Sequence, residues 1–256
     1  MIDPAAATFE RVAAECDYGR PSWPPEAIAS VGLPRDAAVA DLGAGTGKLT
    51  RVLLGRFDHV IAIEPLAGMR ALIPGEAETL PGTAEEIPLP GESLDGVFCG
   101  ESFHWFDWSR ALPEIARVLR PGGRLAMLWN RGKTTWPPEV AAILDRVDHS
   151  PGEKRYQAYA WRDSFAGSAF EPLVHEVFPH ESDVPRDVLI ARIGSWSNFT
   201  IRSPDERRAL LVEIDPCLDD AATCGLRPGR RPRSRNPSRG RACAGRRSTS
   251  VDRARR

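Results

Sequence analysis

Residues 39–48 read Val-Ala-Asp-Leu-Gly-Ala-Gly-Thr-Gly-Lys, an apolar strand running into a turn in which every second residue is glycine. Nothing else in the chain restricts the fold so tightly. Glycine at such spacing lets backbone adopt conformations, or meet a ligand closely, where a side chain would obstruct. A second strand follows at 60–64, Val-Ile-Ala-Ile-Glu, and ends in an acid. Short apolar runs at 38–42, 59–63, 94–99 and 124–129 alternate with helix-like stretches at 47–56, 66–73 and 109–119. That alternation predicts parallel β-α-β units, hence a Rossmann-like, doubly wound, mostly parallel sheet of the α/β class, covered on both faces. Ligands on such sheets bind beyond the carboxyl ends of the strands. Asp41, Glu64, Thr83, Ala84, Glu101 and His104 all fall just after strands and converge on that edge.

Spacing separates the ligands that glycine-rich turns serve. A phosphate loop needs Gly, four residues, then Gly-Lys-Ser/Thr, but Gly47-Lys48 is preceded by Leu42 at the required glycine and followed by Leu49. The dinucleotide fingerprint fails because Lys48 stands where its third glycine belongs. What remains is Asp41-x-Gly43-x-Gly45-x-Gly47. An acid opening the loop is awkward for pyrophosphate and suits a ligand with cationic groups, while Glu64 at the next strand tip can accept two ribose hydroxyls.

This arrangement resembles motif I of the class I S-adenosylmethionine-dependent methyltransferases. Further segments are similar to the same family in the same order. Gly82-Thr83-Ala84-Glu85-Glu86-Ile87-Pro88 resembles the stretch that borders the adenine, with Thr83 where Asp is frequent and the amide near Ala84 able to serve. Residues 101–107, Glu-Ser-Phe-His-Trp-Phe-Asp, resemble the Phe-His-Trp-Phe-Asp signature of one small-molecule branch. Residues 118–125 resemble its Pro-Gly-Gly turn and fifth strand, and residues 20–24, Arg-Pro-Ser-Trp-Pro, its Arg-Pro-x-Tyr-Pro segment. The resemblance implies S-adenosyl-L-methionine as cofactor, held by Asp41, Gly43, Ala44, Gly45, Gly47, Glu64, Pro65, Thr83, Ala84, Glu85, Glu101 and Arg20. It implies methyl transfer to a small-molecule acceptor by in-line displacement. His104 is the candidate general base; its alternative role is to pack against Trp105 and shape the pocket. Arg20 either meets a carboxylate or braces the N-terminal segment. Of Trp23, Phe103, Trp105, Phe106 and Trp108, at most two are expected to line the site.

Composition fits a cytoplasmic enzyme. The 256 residues are 42% apolar, enough for one sizeable core. No apolar run reaches the ~20 residues that span a bilayer, and no signal pattern opens the chain. Five cysteines include no Cys-x-x-Cys pair, which argues against a disulfide framework or a zinc site, so no metal is expected. Cys99 reads as a small buried hydrophobe. Three regions are expected: an N-terminal helical cap at 1–35, a cofactor-binding domain at 36–224 with substrate-side insertions at about 130–170, and a tail at 225–256.

That tail holds twelve arginines against one acid, so it carries +11 while residues 1–224 carry −12. Rich in Arg, Pro, Gly and Ser, it is expected to be disordered. The family closes its sheet with an antiparallel sixth and seventh strand. Residues 170–178 can be the sixth, but the apolar pattern collapses after Ile214, so the last antiparallel strand is expected to be missing. A reading-frame shift near 213–224 accounts for such an ending, and exposed strand edges would follow from it. Two alternatives therefore stand beside the enzyme: a catalytically impaired or non-catalytic cofactor-binding protein, and a nucleic-acid methyltransferase recruited by the arginines. Residues 99–103, Cys-Gly-Glu-Ser-Phe, do not form the Asn/Asp-Pro-Pro-aromatic motif of amino-directed base methyltransferases.

Overall fold

The computed structural model describes residues 3–132, 136–147, 160–218 and 244–256. Seven strands form one sheet in the order β3-β2-β1-β4-β5-β7-β6. They are β1 (Ala38–Leu42), β2 (His59–Ile63), β3 (Glu78–Leu80), β4 (Leu94–Gly100), β5 (Leu119–Gly132), β6 (Val174–Asp183) and β7 (Ala244–Arg255). The first five are parallel, and β7 runs antiparallel to both β5 and β6. This is the doubly wound α/β fold expected of the chain. The strand order reverses between β1 and β4, which opens a crevice at their carboxyl ends.

Strand periodicity decides which face each residue serves. Along β5, Leu125, Met127 and Trp129 join one core with Val97 and Cys99 of β4, while Ala126 and Leu128 join Phe98 in the other. The first core is covered by a helix at Trp108–Val118, which Asp107 caps by accepting from the Ser109 amide. The second is covered by helices at Pro25–Ala29 and Lys48–Leu54. We label the helices used below α1 (Ala13–Gly19), α2 (Pro138–Arg146), α3 (Arg186–Gly194) and α4 (Pro204–Ile214). The last three bury Val140, Ile143, Leu189, Ile193 and Ile214 around Phe199, a separate small core beyond the strand ends. Ser203 and Glu206 form a capping box that starts α4.

The expectation of a missing last strand is corrected: β7 occupies the slot between β5 and β6, in register from Arg124↔Arg255 to Gly132↔Arg247. The tail expected to be disordered is therefore sheet over 244–255, and the β5 and β6 edges facing it are paired. Residues 219–243, which include the first part of that tail, lie outside the described residues. Apolar burial contributes little to β7, where Val251 and Ala254 are the buried apolar residues among those whose burial is described. Polar pairing substitutes for it. Asp252, 1% exposed, meets Arg162 at 2.8 Å and His175 Nδ1 at 2.9 Å. Thr249 Oγ1 donates to Asn130 Oδ1 at 3.0 Å, and Arg253 grips Glu176 with two bonds of 2.6 and 2.9 Å. Two full backbone ladders plus these pairs satisfy a strand that its hydropathy does not announce.

No helix among the described residues is long and apolar enough to cross a membrane. Cys99 is buried with a free thiol, in keeping with its reading as a small hydrophobe; Cys224 and Cys243 lie outside the described residues.

Candidate active site

The glycine loop is built by β1 ending against its neighbours. Gly43, Gly45 and Gly47 all take positive φ, at 70°, 58° and 81°. At Gly43 the need for glycine is doubled, because a Cβ there would lie 2.7 Å from the Ser102 Cβ. The amides of Gly43 and Ala44 both donate to the Ile63 carbonyl, at 2.9 and 3.1 Å, which ties the loop to the end of β2. Ser102 Oγ donates to the Leu42 carbonyl at 2.8 Å and ties it to β4.

Two acids flank this loop. Asp41 is 1% exposed; its Oδ2 accepts from Thr50 Oγ1 at 2.6 Å, and its Oδ1 is buried with no partner among the described residues. Burial pushes its pKa up to about 7; the Thr50 hydrogen bond opposes the shift and the Glu64 charge adds to it. Glu64 is 5% exposed, and its oxygens accept from the Gly45 amide at 2.8 Å and the Leu66 amide at 2.9 Å. Burial raises its pKa as well, against the pull of those two amides. A carboxylate has about four lone-pair directions, so each Glu64 oxygen keeps capacity for a further donor.

Both acids line a cavity of about 820 Å³ at the carboxyl ends of the strands. All the predicted contact residues reach it except Gly47, which is not in its wall: Arg20, Asp41, Gly43, Ala44, Gly45, Glu64, Pro65, Thr83, Ala84, Glu85, Glu101 and His104. Gly47 instead turns the chain into its helix, and a Cβ there would meet Pro74 at 2.8 Å. Glu85 is partly committed elsewhere, accepting from the Asp107 amide at 2.8 Å. Glu101 holds the strained backbone that follows β4, with φ of 53°, and its carboxylate accepts from the Asn130 amide. Arg20 gives Nε to Ser195 Oγ at 2.8 Å and Nη2 to the Ser195 carbonyl, so it braces the end of α3 while also facing the cavity.

His104 is 7% exposed, with ring centroids of Trp105 at 5.0 Å and Trp129 at 5.6 Å. The aromatic expectation needs correcting. Trp23, Trp105 and Phe106 line the cavity, three rather than two, while Phe103 is fully buried and Trp108 packs on that core, donating Nε1 to the Phe103 carbonyl. Trp136 and Trp196 close the far side; Trp161 stacks on Trp129 in the core.

A methyltransferase-domain family matches residues 40–127, the span from β1 through β5 that carries the glycine loop and both acids. An uncharacterized methyltransferase of Mycobacterium tuberculosis is 49% identical over 137 residues, 51% of this chain and 56% of the relative. That match spans little more than half the relative's length. A methyltransferase-like protein of Schizosaccharomyces pombe is 31% identical over 220 residues, covering 81% of this chain and 84% of its own. The chain belongs to the class I methyltransferase family. A solved structure assigned as a type II methyltransferase from Anaeromyxobacter dehalogenans agrees in fold, with a TM-score of 0.60 at 25% identity, covering 92% of this chain and 97% of that one.

Membership implies use of S-adenosylmethionine, and the walls of the cavity fit it. The unpartnered Asp41 Oδ1 suits a cationic group, and the glycine loop leaves room for main-chain contact. Ala141, Leu144 and Asp145 of α2, which complete the cavity, fall in the stretch at about 130–170 expected as substrate-side insertions, whereas nothing in the sequence singled out Leu189 and Arg192 of α3, Ser197 or Asn198. These residues form no motif; only the packing of the cap helices brings them together.

Proposed function

We propose that this protein methylates a small-molecule acceptor, with S-adenosylmethionine bound across the glycine loop. The observation that carries the reading is the pair of buried acids, Asp41 and Glu64, on adjacent parallel strand ends in one cavity wall. Glu64 would receive the ribose hydroxyls while its two amide contacts hold it in place. Asp41 would accept from the ammonium end, and Thr83–Glu85 would border the adenine. When bound, the cofactor supplies an electrophilic methyl group on a sulfonium, the S–CH3 electron pair staying on sulfur as the acceptor's lone pair forms the new bond. The chain's task is to orient that acceptor in line, an effect worth on the order of 7–11 kcal/mol, and to keep water out. Trp23, Trp105, Phe106, Trp136 and Trp196 supply the apolar wall for both.

His104 is the imidazole on this wall and stands as the candidate base for a hydroxyl or amine acceptor; a carboxyl acceptor needs none. A His104→Ala variant with unchanged cofactor affinity and turnover removes it from the catalytic set. A loss of about 10²–10⁴ in turnover, with the acid limb of the pH profile abolished, assigns it.

The decisive experiment is calorimetric titration of S-adenosylmethionine and S-adenosylhomocysteine into the purified protein, with Glu64→Ala as control. Micromolar binding lost in the variant supports the reading. Folded protein that binds neither ligand refutes it and leaves the non-catalytic alternative.

A further inference from the structure

Arg192 is the strongest feature of the cavity that the proposed reaction does not use. It lies near the end of α3, is 7% exposed, and lines the acceptor side beside Leu189, Trp196 and Asn198. Its guanidinium spends one donor on the protein: Nε gives a 2.8 Å hydrogen bond to the Gly19 carbonyl at the end of α1. Nη1 is buried with no partner, and no acid among the described residues forms an ion pair with the group. Asp145 shares that side of the cavity without pairing to it. An isolated buried cation is costly unless paired. Arginine is always charged and presents a planar fork of donors matched to a carboxylate. Trp23, which lines the same cavity, adds a second buried donor without a partner at Nε1. Asp41, the acid that suits the cofactor's cationic end, sits instead at the glycine loop, away from the cap helix that carries Arg192.

We infer that Arg192 recognises a carboxylate on the methyl acceptor, which makes the acceptor an acidic small molecule. This rests on the methyl-transfer reading above. The same chemistry has a second source, the methionine carboxylate of the cofactor, and the test separates the two.

Wild-type protein saturated with S-adenosylhomocysteine is titrated with short dicarboxylates, aromatic carboxylates and fatty acids, each paired with its neutral primary amide. Arg192→Gln and Arg192→Lys are run alongside, and the Lys variant keeps a cation should the Gln variant not fold. Expected are at least one acid bound tenfold or more tightly than its amide, and loss of that preference in Arg192→Gln with S-adenosylhomocysteine affinity within twofold of wild type. Arg192→Lys should retain part of it. Acids and amides binding alike, or neither binding, overturns the assignment while the methyl-transfer reading stands. A tenfold loss of S-adenosylhomocysteine affinity in both variants overturns it too, by giving Arg192 to the cofactor. Wild type that fails to bind S-adenosylhomocysteine removes the parent reading and this inference together.

Discussion

At the residue scale, Asp41 makes the most direct prediction. Its folded-state pKa of about 7 lies above the ordinary carboxylate value, so the native state holds a proton that the unfolded chain has released. Stability from this group is therefore present in acid and declines as pH rises from about 4 to about 7. Asp41→Asn should raise the melting temperature relative to wild type more at pH 8 than at pH 5. A cationic ligand group favours the charged form, so cofactor binding at pH 6 should release a fraction of a proton. Titrations in two buffers of different ionisation enthalpy measure that release, and equal apparent enthalpies in both would contradict it. Gly43→Ala combines a positive φ with a 2.7 Å clash on Ser102. It should cost about 1–3 kcal/mol and weaken cofactor binding, as chemical denaturation and calorimetry on one sample would show. The residues behind these predictions were legible in the sequence because each answers to a local rule: glycine at positive φ, an acid at a strand tip. Arg192 was not, since an arginine in a helix normally reads as a solvated face. Its burial depends on how α3 docks against Gly19.

At the element scale, β7 is where hydropathy and structure part. A central strand is expected to be apolar, and residues 244–255 are mostly Arg, Ser and Thr. Their pairing depends on groups far away in sequence: Glu176, His175, Arg162 and Asn130. No single-sequence pattern encodes those partners, which is why the strand was invisible while β1, β2 and β4 were not. Trimming the chain at 224 would therefore remove an integral strand of the sheet and not a dispensable tail. Deleting residues 244–256 would bare the edges of β5 and β6, and unpaired edges promote association. The deletion should leave mostly aggregated protein by size-exclusion chromatography; a soluble monomer with native circular dichroism would argue against β7 as an integral strand. Asp252→Ala, a milder change, should lower stability by about 1–3 kcal/mol without altering cofactor affinity.

At the scale of the whole molecule, the charge asymmetry of the sequence is partly neutralised by folding. Arg253 is paired with Glu176 and Arg256 with Glu92 at 3.5 Å, so these two arginines of the basic tail are spent on the acidic body. That use competes with recruitment of nucleic acid. The cavity joins sheet, N-terminal segment and cap helices, so a ligand there should stabilise them as one unit. S-adenosylhomocysteine at a hundred times its Kd is expected to add about 2.7 kcal/mol, a rise of roughly 5–10 °C in a single transition for a chain of this size. Two transitions, with only one displaced, would mean that the cap does not share the site.

Glu64 ends the matter of how separable such a site is. One carboxylate both props the Gly45 and Leu66 amides and offers its remaining lone pairs to the cavity. Redesigning the protein for a cofactor analogue with an altered ribose cannot treat that acid as an interchangeable specificity handle, because any replacement also alters the contacts that hold the Gly45 and Leu66 amides. Substitutions at 45, 64 and 66 should therefore be epistatic, their combined effect departing from the sum of the single ones, and a successful redesign has to change loop and acid in the same step.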